Sequence, residues 1–184
     1  MGLSNEEKKF LLRIARASVE GNFSGDFIVP SFFSQSLQEK RGAFVTLHQH
    51  GRLRGCIGII EALYPLQTTV IEMARSAAFK DPRFPPVSAS VLPELNFEIS
   101  VLSPLKDCTR PEEIIVGVHG IIIKKGPYSG LLLPQVAIEQ CWDRQTFLEQ
   151  TCIKAGLPPD TWKEKGIQIR IFSGEVFGEK ESAA

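Results

Sequence analysis

Three glycines within eight residues, in the segment GRLRGCIG from Gly51 to Gly58, constrain this chain more than any other feature. Glycine loses more backbone freedom on folding than any other residue and has no side chain to pack. Repeated glycine in an apolar strand therefore marks a tight turn or a close backbone approach. Ala43 to His48 reads as a strand, and the turn His50-Gly51-Arg52 sends Leu53 to Ile60 back as its antiparallel partner. The glycines thus stand four and three apart inside a hairpin arm. A dinucleotide fingerprint needs G-x-G-x-x-G between a strand and a helix, and this spacing argues against one.

Strand alternation puts Arg54, Cys56 and Gly58 on one face and Leu53, Gly55, Ile57 and Ile59 on the other. Residues two apart on a strand are roughly 6.5 Å apart, within reach of a long guanidinium, and a neighbouring cation favours a reactive thiolate. The missing side chain at Gly58 is expected to leave space above the sulfur. Cys56 is then a candidate nucleophile with Arg54 beside it. The competing reading is a strand cysteine packed as a small apolar residue.

The rest of the chain supplies the frame. Ser4 with Glu7 forms a capping box, and Phe10, Leu11, Ile14, Ala15 and Ser18 recur at helical spacing as far as Gly21. A Gly-, Pro- and Ser-rich stretch from Asn22 to Ser36 leads to the hairpin. Pro65 suits the first turn of a helix carrying Leu66, Val70, Met73, Ala74, Ala77 and Ala78, which Asp81-Pro82 stops. Four prolines from Pro82 to Pro93 predict a stiff irregular loop, and Leu95, Phe97, Ile99 and Val101 then alternate with polar residues as a half-buried strand. Val116 to Lys125, the turn Gly126 to Gly130, and Leu131 to Leu133 make a second hairpin. Asp143 caps a helix burying Phe147, Leu148, Thr151, Cys152 and Ala155, with Gly156 as its left-handed stop. Ile167, Ile169 and Ile171 alternate in one more strand. Hairpins that alternate with helices, without strand-helix-strand crossovers, predict an α+β fold: a largely antiparallel sheet flanked by helices.

Charge narrows the function classes. The 184 residues hold 21 Lys plus Arg against 21 Asp plus Glu, so no net field steers the chain onto nucleic acid or an anionic membrane. No apolar run approaches the roughly eighteen residues of a membrane span, and MGLSNEEKKF lacks a secretory signal's apolar stretch. A cytoplasmic protein is expected. The four cysteines, Cys56, Cys108, Cys141 and Cys152, form no C-x-x-C pair and fit a reducing compartment as free thiols.

Other residues compete for chemical roles. His119, between Gly117 and Gly120, is the best candidate in the chain for an acid or base near neutral pH; otherwise it is a structural histidine bonded to backbone. His48 and His50 share a strand face, but no Cys or carboxylate at ligand spacing joins them, so no metal is expected. Asp81-Pro82-Arg83-Phe84-Pro85-Pro86 places an acid and a base two apart on a stiff loop, either as part of a site or as a surface ion pair. Pro134 and Gln135, ahead of Glu139, offer an amide and a carboxylate or cap the next helix. Cys141 and Cys152, eleven apart, are expected on one buried helical face.

Five motifs in order, RGCIG (Arg54 to Gly58), DPRFPPV (Asp81 to Val87), GVHGI (Gly117 to Ile121), LPQVA (Leu133 to Ala137) and KAGL (Lys154 to Leu157), resemble the AMMECR domain family, called AmmeMemoRadiSam system protein A in prokaryotes. The resemblance spans about residues 10–177, leaving 1–9 as the start of the first helix and 178–184 as a flexible tail. It implies one α+β domain with a larger and a smaller lobe and a cleft lined by the RGCIG segment. It also implies a MEMO-like protein and a radical SAM protein as partners, and it names no cofactor. Carried over by motif, Leu53, Arg54, Gly55, Cys56, Ile57 and Gly58 match the family's signature segment, Arg83 and Phe84 its proline-rich loop, and His119 and Gly120 its histidine motif.

Two functions follow as expectations. In the first, Cys56 is a nucleophile or covalent anchor, Arg54 stabilises the thiolate or a bound anion, and His119 moves protons, in contact with a small-molecule or macromolecular substrate. In the second, the protein is a non-catalytic adaptor whose glycine-rich hairpin forms a surface groove for the MEMO-like partner. Asp81, Arg83, Phe84, Gly120, Pro134 and Gln135 join the binding surface in either case.

Overall fold

A computed structural model describes residues 2–28 and 32–179. In chain order the elements are α1 (Asn5–Ser24), α2 (Gln35–Gln38), β1 (Ala43–Gln49), β2 (Arg52–Ile59), α3 (Leu66–Phe79), β3 (Leu95–Leu102), β4 (Lys106–Asp107), β5 (His119–Lys125), β6 (Tyr128–Leu132), α4 (Pro134–Glu139), α5 (Arg144–Lys154) and β7 (Gln168–Gly178). The β1–β2, β1–β3, β4–β7, β5–β6 and β5–β7 pairings are antiparallel, as expected from the hairpins. Two compact units divide the chain, one running to Leu102 and resuming at Glu175, the other Ser103–Gly174.

In the first unit, the capping box at α1 forms as the sequence predicts: Ser4 Oγ accepts from the Glu7 N–H at 3.2 Å, and the Glu7 carboxylate accepts from the Ser4 N–H at 2.7 Å. The helix runs past Gly21 to Ser24, and Gly25, at φ 79°, is its left-handed stop. Gly21 stays helical and serves a close approach instead, because a Cβ there would lie 2.7 Å from Cβ of Phe27. The first hairpin closes through two left-handed residues, His50 at φ 52° and Gly51 at φ 75°, which matches the twist of the flanking strands. β1 lies between β2 and β3, and α1 and α3 cover one face. Val45 and Leu47 of β1, Phe97 and Ile99 of β3, Leu11 and Ile14 of α1, and Leu66 and Val70 of α3 are fully buried there. Each contributes about 1.5–3 kcal/mol through removal of its side chain from water.

Glu179 falls in the segment expected to be a flexible tail, yet it is bonded to the first unit. The Glu179 N–H donates to the Phe97 carbonyl at 3.0 Å, and its carboxylate accepts from the Phe97 N–H and from Arg16. Those bonds tie residue 179 to β3 and α1. Residues 180–184 lie outside the described residues.

In the second unit, β5 pairs with β6 and with β7, and β4 pairs with β7. The β5–β6 turn is shorter than the sequence suggests, since Lys125 already pairs with Tyr128 and only Gly126 and Pro127 remain in it. The face expected on α5 is buried in full: Phe147, Leu148, Thr151, Cys152 and Ala155. Phe147, Leu148 and Cys152 pack against Ile121, Ile123 and Ile171 of the sheet. Cys141 does not share that face. It sits before α5 in a left-handed turn at φ 55°, exposed, because Trp142 and the capping residue Asp143 start a new helix after it.

Asp143 Oδ1 accepts from the Thr146 N–H at 2.7 Å, and this backbone donor lowers the Asp143 pKa from its usual value. Asp143→Ala is expected to destabilise the protein through loss of the N-cap, read as a lower urea midpoint with an unchanged slope. Among the described residues no helix is long and apolar enough to cross a membrane.

Candidate active site around Cys56

Pairing between β1 and β2 slips by one residue between Leu47 and His48. His48 faces Leu53, whereas Leu47 faces Gly55, so Arg54 is the extra residue of a β-bulge. Two consequences correct simple alternation. Leu53 moves to the face of Cys56, opposite His48, and is 42% exposed. The cross-strand neighbour of Cys56 becomes Thr46, which an unbulged hairpin would have set against Gly55.

Both glycines beside Cys56 are filled rather than open. Gly55 is buried beneath α3, and a Cβ there would lie 2.3 Å from the Ala77 carbonyl oxygen. At Gly58 a Cβ would lie 2.3 Å from the Phe44 ring. The space expected at Gly58 therefore holds an aromatic side chain, and neither glycine opens a surface groove. Ile57, between them, is half-buried against the core.

Cys56 itself, half-buried, is held at three points. Its N–H donates to Asp81 Oδ2 at 2.8 Å, its carbonyl accepts from Arg83 Nη2 at 3.2 Å, and its Sγ accepts from the Thr46 hydroxyl at 3.3 Å. Asp81 reaches β2 because α3 ends at Phe79 and the following loop folds back, with the Val87 N–H donating to the Ala78 carbonyl. The Asp81 carboxylate is almost wholly buried, and it accepts from Arg83 Nε at 2.9 Å and Nη2 at 2.7 Å as well as from the Arg83 N–H. These Arg83 bonds, and less strongly the Cys56 N–H, hold the Asp81 pKa well below the carboxylate range against the opposing effect of burial. Arg83 is raised in turn, chiefly by Asp81. The acid and base two apart on the loop are thus a clamp on the backbone of Cys56.

Phe84 completes the arrangement. Its ring centroid lies 5.5 Å from the Arg83 guanidinium and 6.0 Å from that of Arg54, both within cation–π range. Among the described residues Arg54 makes a single long bond, Nη2 to the Pro86 carbonyl at 3.5 Å, and its Nη1 is buried without an acceptor.

The sequence candidates outside this cluster fall elsewhere. His119, Gly120, Pro134 and Gln135 belong to the second unit. His119 opens β5, half-buried, and its Nδ1 accepts from the Ile115 N–H at 3.1 Å, which fixes that nitrogen as an acceptor and leaves Nε2 for any proton traffic. The two glycines around it serve different ends: Gly117 adopts φ 82°, and Gly120 lies against the Phe172 ring, 2.3 Å from where its Cβ would stand. Pro134 takes the first position of α4 and Gln135 is exposed beside it, so that segment starts a helix. His50 lies in the hairpin turn with Nε2 3.1 Å from Glu94.

Thr46 escaped the sequence reading. Its only signal there is its place across the hairpin, and that place depends on the bulge.

Comparison with known proteins agrees with this architecture. The AMMECR1 family model matches residues 12–177. Protein MJ0810 of Methanocaldococcus jannaschii is 44% identical over 97% of this chain and 93% of its own length, and Protein NEQ441 of Nanoarchaeum equitans is 45% identical over 92% and 98%. The crystal structure of the uncharacterized protein PH0010 from Pyrococcus horikoshii superposes with a TM-score of 0.84 at 43% identity, covering 97% of this chain and 94% of that one. With a family match over nearly its whole length and relatives this similar, the chain belongs to the AMMECR1 family.

Proposed function

We propose that the protein works through the Cys56 thiol as a nucleophile or covalent anchor, at a site built from Thr46, Cys56, Asp81 and Arg83. The observation that carries this reading is the triple hold on Cys56, whose N–H and carbonyl are bonded by Asp81 and Arg83 of one loop and whose sulfur accepts from Thr46 of β1. Fixing a reacting atom in this way removes the orientational freedom that otherwise slows a bimolecular step. In the reaction the sulfur forms a bond to an electrophilic carbon of the substrate. The leaving group departs with its bonding pair, and the thiol proton is lost to solvent. The family resemblance adds a MEMO-like protein and a radical SAM protein as partners, which co-purification of the three from one cell would show.

Alkylation tests the chemistry directly. With limiting iodoacetamide, peptide mass spectrometry is expected to find Cys56 modified about tenfold faster than the exposed Cys141, because the Cys56 sulfur is held in one orientation by the Thr46 hydroxyl and by its clamped backbone. Equal rates, or a faster Cys141, would remove the basis for a nucleophilic Cys56.

A further inference from the structure

We infer that Arg54 is the receptor for a carboxylate on the molecule that Cys56 attacks, so that the substrate class is a compact carboxylate-bearing electrophile. The inference rests on the nucleophile reading above and adds to it the charge of the substrate.

Local charge is the first support. Asp81 is the buried carboxylate of the cluster, and Arg83 occupies it with two guanidinium nitrogens. No Asp or Glu among the described residues pairs with Arg54. The cluster of Arg54, Arg83 and Asp81 therefore carries one uncompensated positive charge, and it resides on Arg54. A half-buried guanidinium without an anion is costly to maintain, and an N–H without an acceptor adds to the cost. An incoming carboxylate at the exposed part of the guanidinium relieves the first of these.

Geometry is the second. Arg83 is fixed by Asp81 and by the Cys56 carbonyl, whereas Arg54 is held by one bond of 3.5 Å that an arriving anion can replace. Phe84 offers a face on which the guanidinium plane can rest. A planar fork on an aromatic ring matches a carboxylate better than a point charge does. The bulge singles Arg54 out of the β1–β2 ladder, and bulges re-aim the side chain they carry. Cys56 follows two residues later in β2, and Arg83, which shares the Phe84 ring with Arg54, bonds the Cys56 carbonyl, so the loop joins Arg54 to the Cys56 backbone.

Paired alkylating reagents test this. Iodoacetate carries a carboxylate on the reacting carbon and iodoacetamide is its neutral counterpart. In both, a sulfur–carbon bond forms, the carbon–iodine bond breaks, iodide leaves with the pair, and buffer takes the thiol proton. The ratio of iodoacetate to iodoacetamide rate is measured at Cys56 and at Cys141 of the same molecules. The ratio at Cys56 is expected to exceed that at Cys141 by about tenfold at low salt, to fall to the Cys141 value in Arg54→Gln, and to survive in part in Arg54→Lys. A wild-type ratio at Cys56 no greater than at Cys141 overturns the inference, and so does a preference that persists in Arg54→Gln. The wild-type and Arg54→Lys measurements decide the matter even where Arg54→Gln does not fold. Failure of iodoacetamide to modify Cys56 defeats the nucleophile reading, whereas modification without carboxylate preference defeats the anion site alone.

Discussion

Gly55→Val is expected to cost the first unit about 4 kcal/mol, the largest effect of any single substitution near the site. The added Cβ would stand 2.3 Å from the Ala77 carbonyl oxygen, inside van der Waals contact. The obstacle is helix backbone, so no rotamer change relieves it. Either β2 moves away from α3 or the last turn of α3 breaks, and both expose the buried face made by Val70, Ala74 and Ala77. Gly51→Ala is the control. It meets nothing within 4 Å and opposes only φ 75°, and it is expected to cost about 1 kcal/mol. Chemical denaturation compares them. A Gly55→Val protein with wild-type stability would mean that α3 does not press on β2 as described.

Asp81→Ala ranks next, at about 3 kcal/mol, most of it from the Cys56 N–H left without an acceptor. The ion pair with Arg83 adds little, because the arginine side chain is 54% exposed and such pairs are worth at most about 1 kcal/mol. Melting of the first unit is expected to fall by about 10 °C. The pH dependence has a definite sign. Arg83 lowers the Asp81 pKa in the folded state below its unfolded value of about 3.9. The folded protein then holds fewer protons than the unfolded chain as pH falls, so the Asp81 contribution is fully present above pH ~4 and is lost on acidification toward the folded pKa. Asp81→Asn is expected to flatten that acid limb. Stability–pH curves of the two proteins that run parallel below pH ~4 would show that Asp81 is not the depressed carboxylate.

The candidate site was legible in part. RGCIG, DPRFPPV and the first hairpin are continuous stretches, so their residues could be named, and Arg54, Cys56, Asp81, Arg83 and Phe84 do come together. Their roles were not legible. Asp81 and Arg83 read as an acid–base pair on a loop, yet they clamp the Cys56 backbone, a relation across 25 residues that follows from where α3 ends against β2. The glycines read as room for a ligand, but room depends on what lies opposite: Ala77 from α3 and Phe44 from β1.

What the sequence determined by itself is a set of local motifs that close within a few residues. Ser4 with Glu7, Asp143 with Thr146, the left-handed Gly156 and the His50-Gly51 turn each satisfy local hydrogen bonds or dihedral demands, and alternation in β3 needs only its own strand. Tertiary structure alone decided the bulge at Arg54, and with it that Thr46 donates to the Cys56 sulfur and that Leu53 changes face. A bulge arises where two strands cannot both keep register and bury their apolar faces against the same helices. No single strand carries that competition in its own sequence.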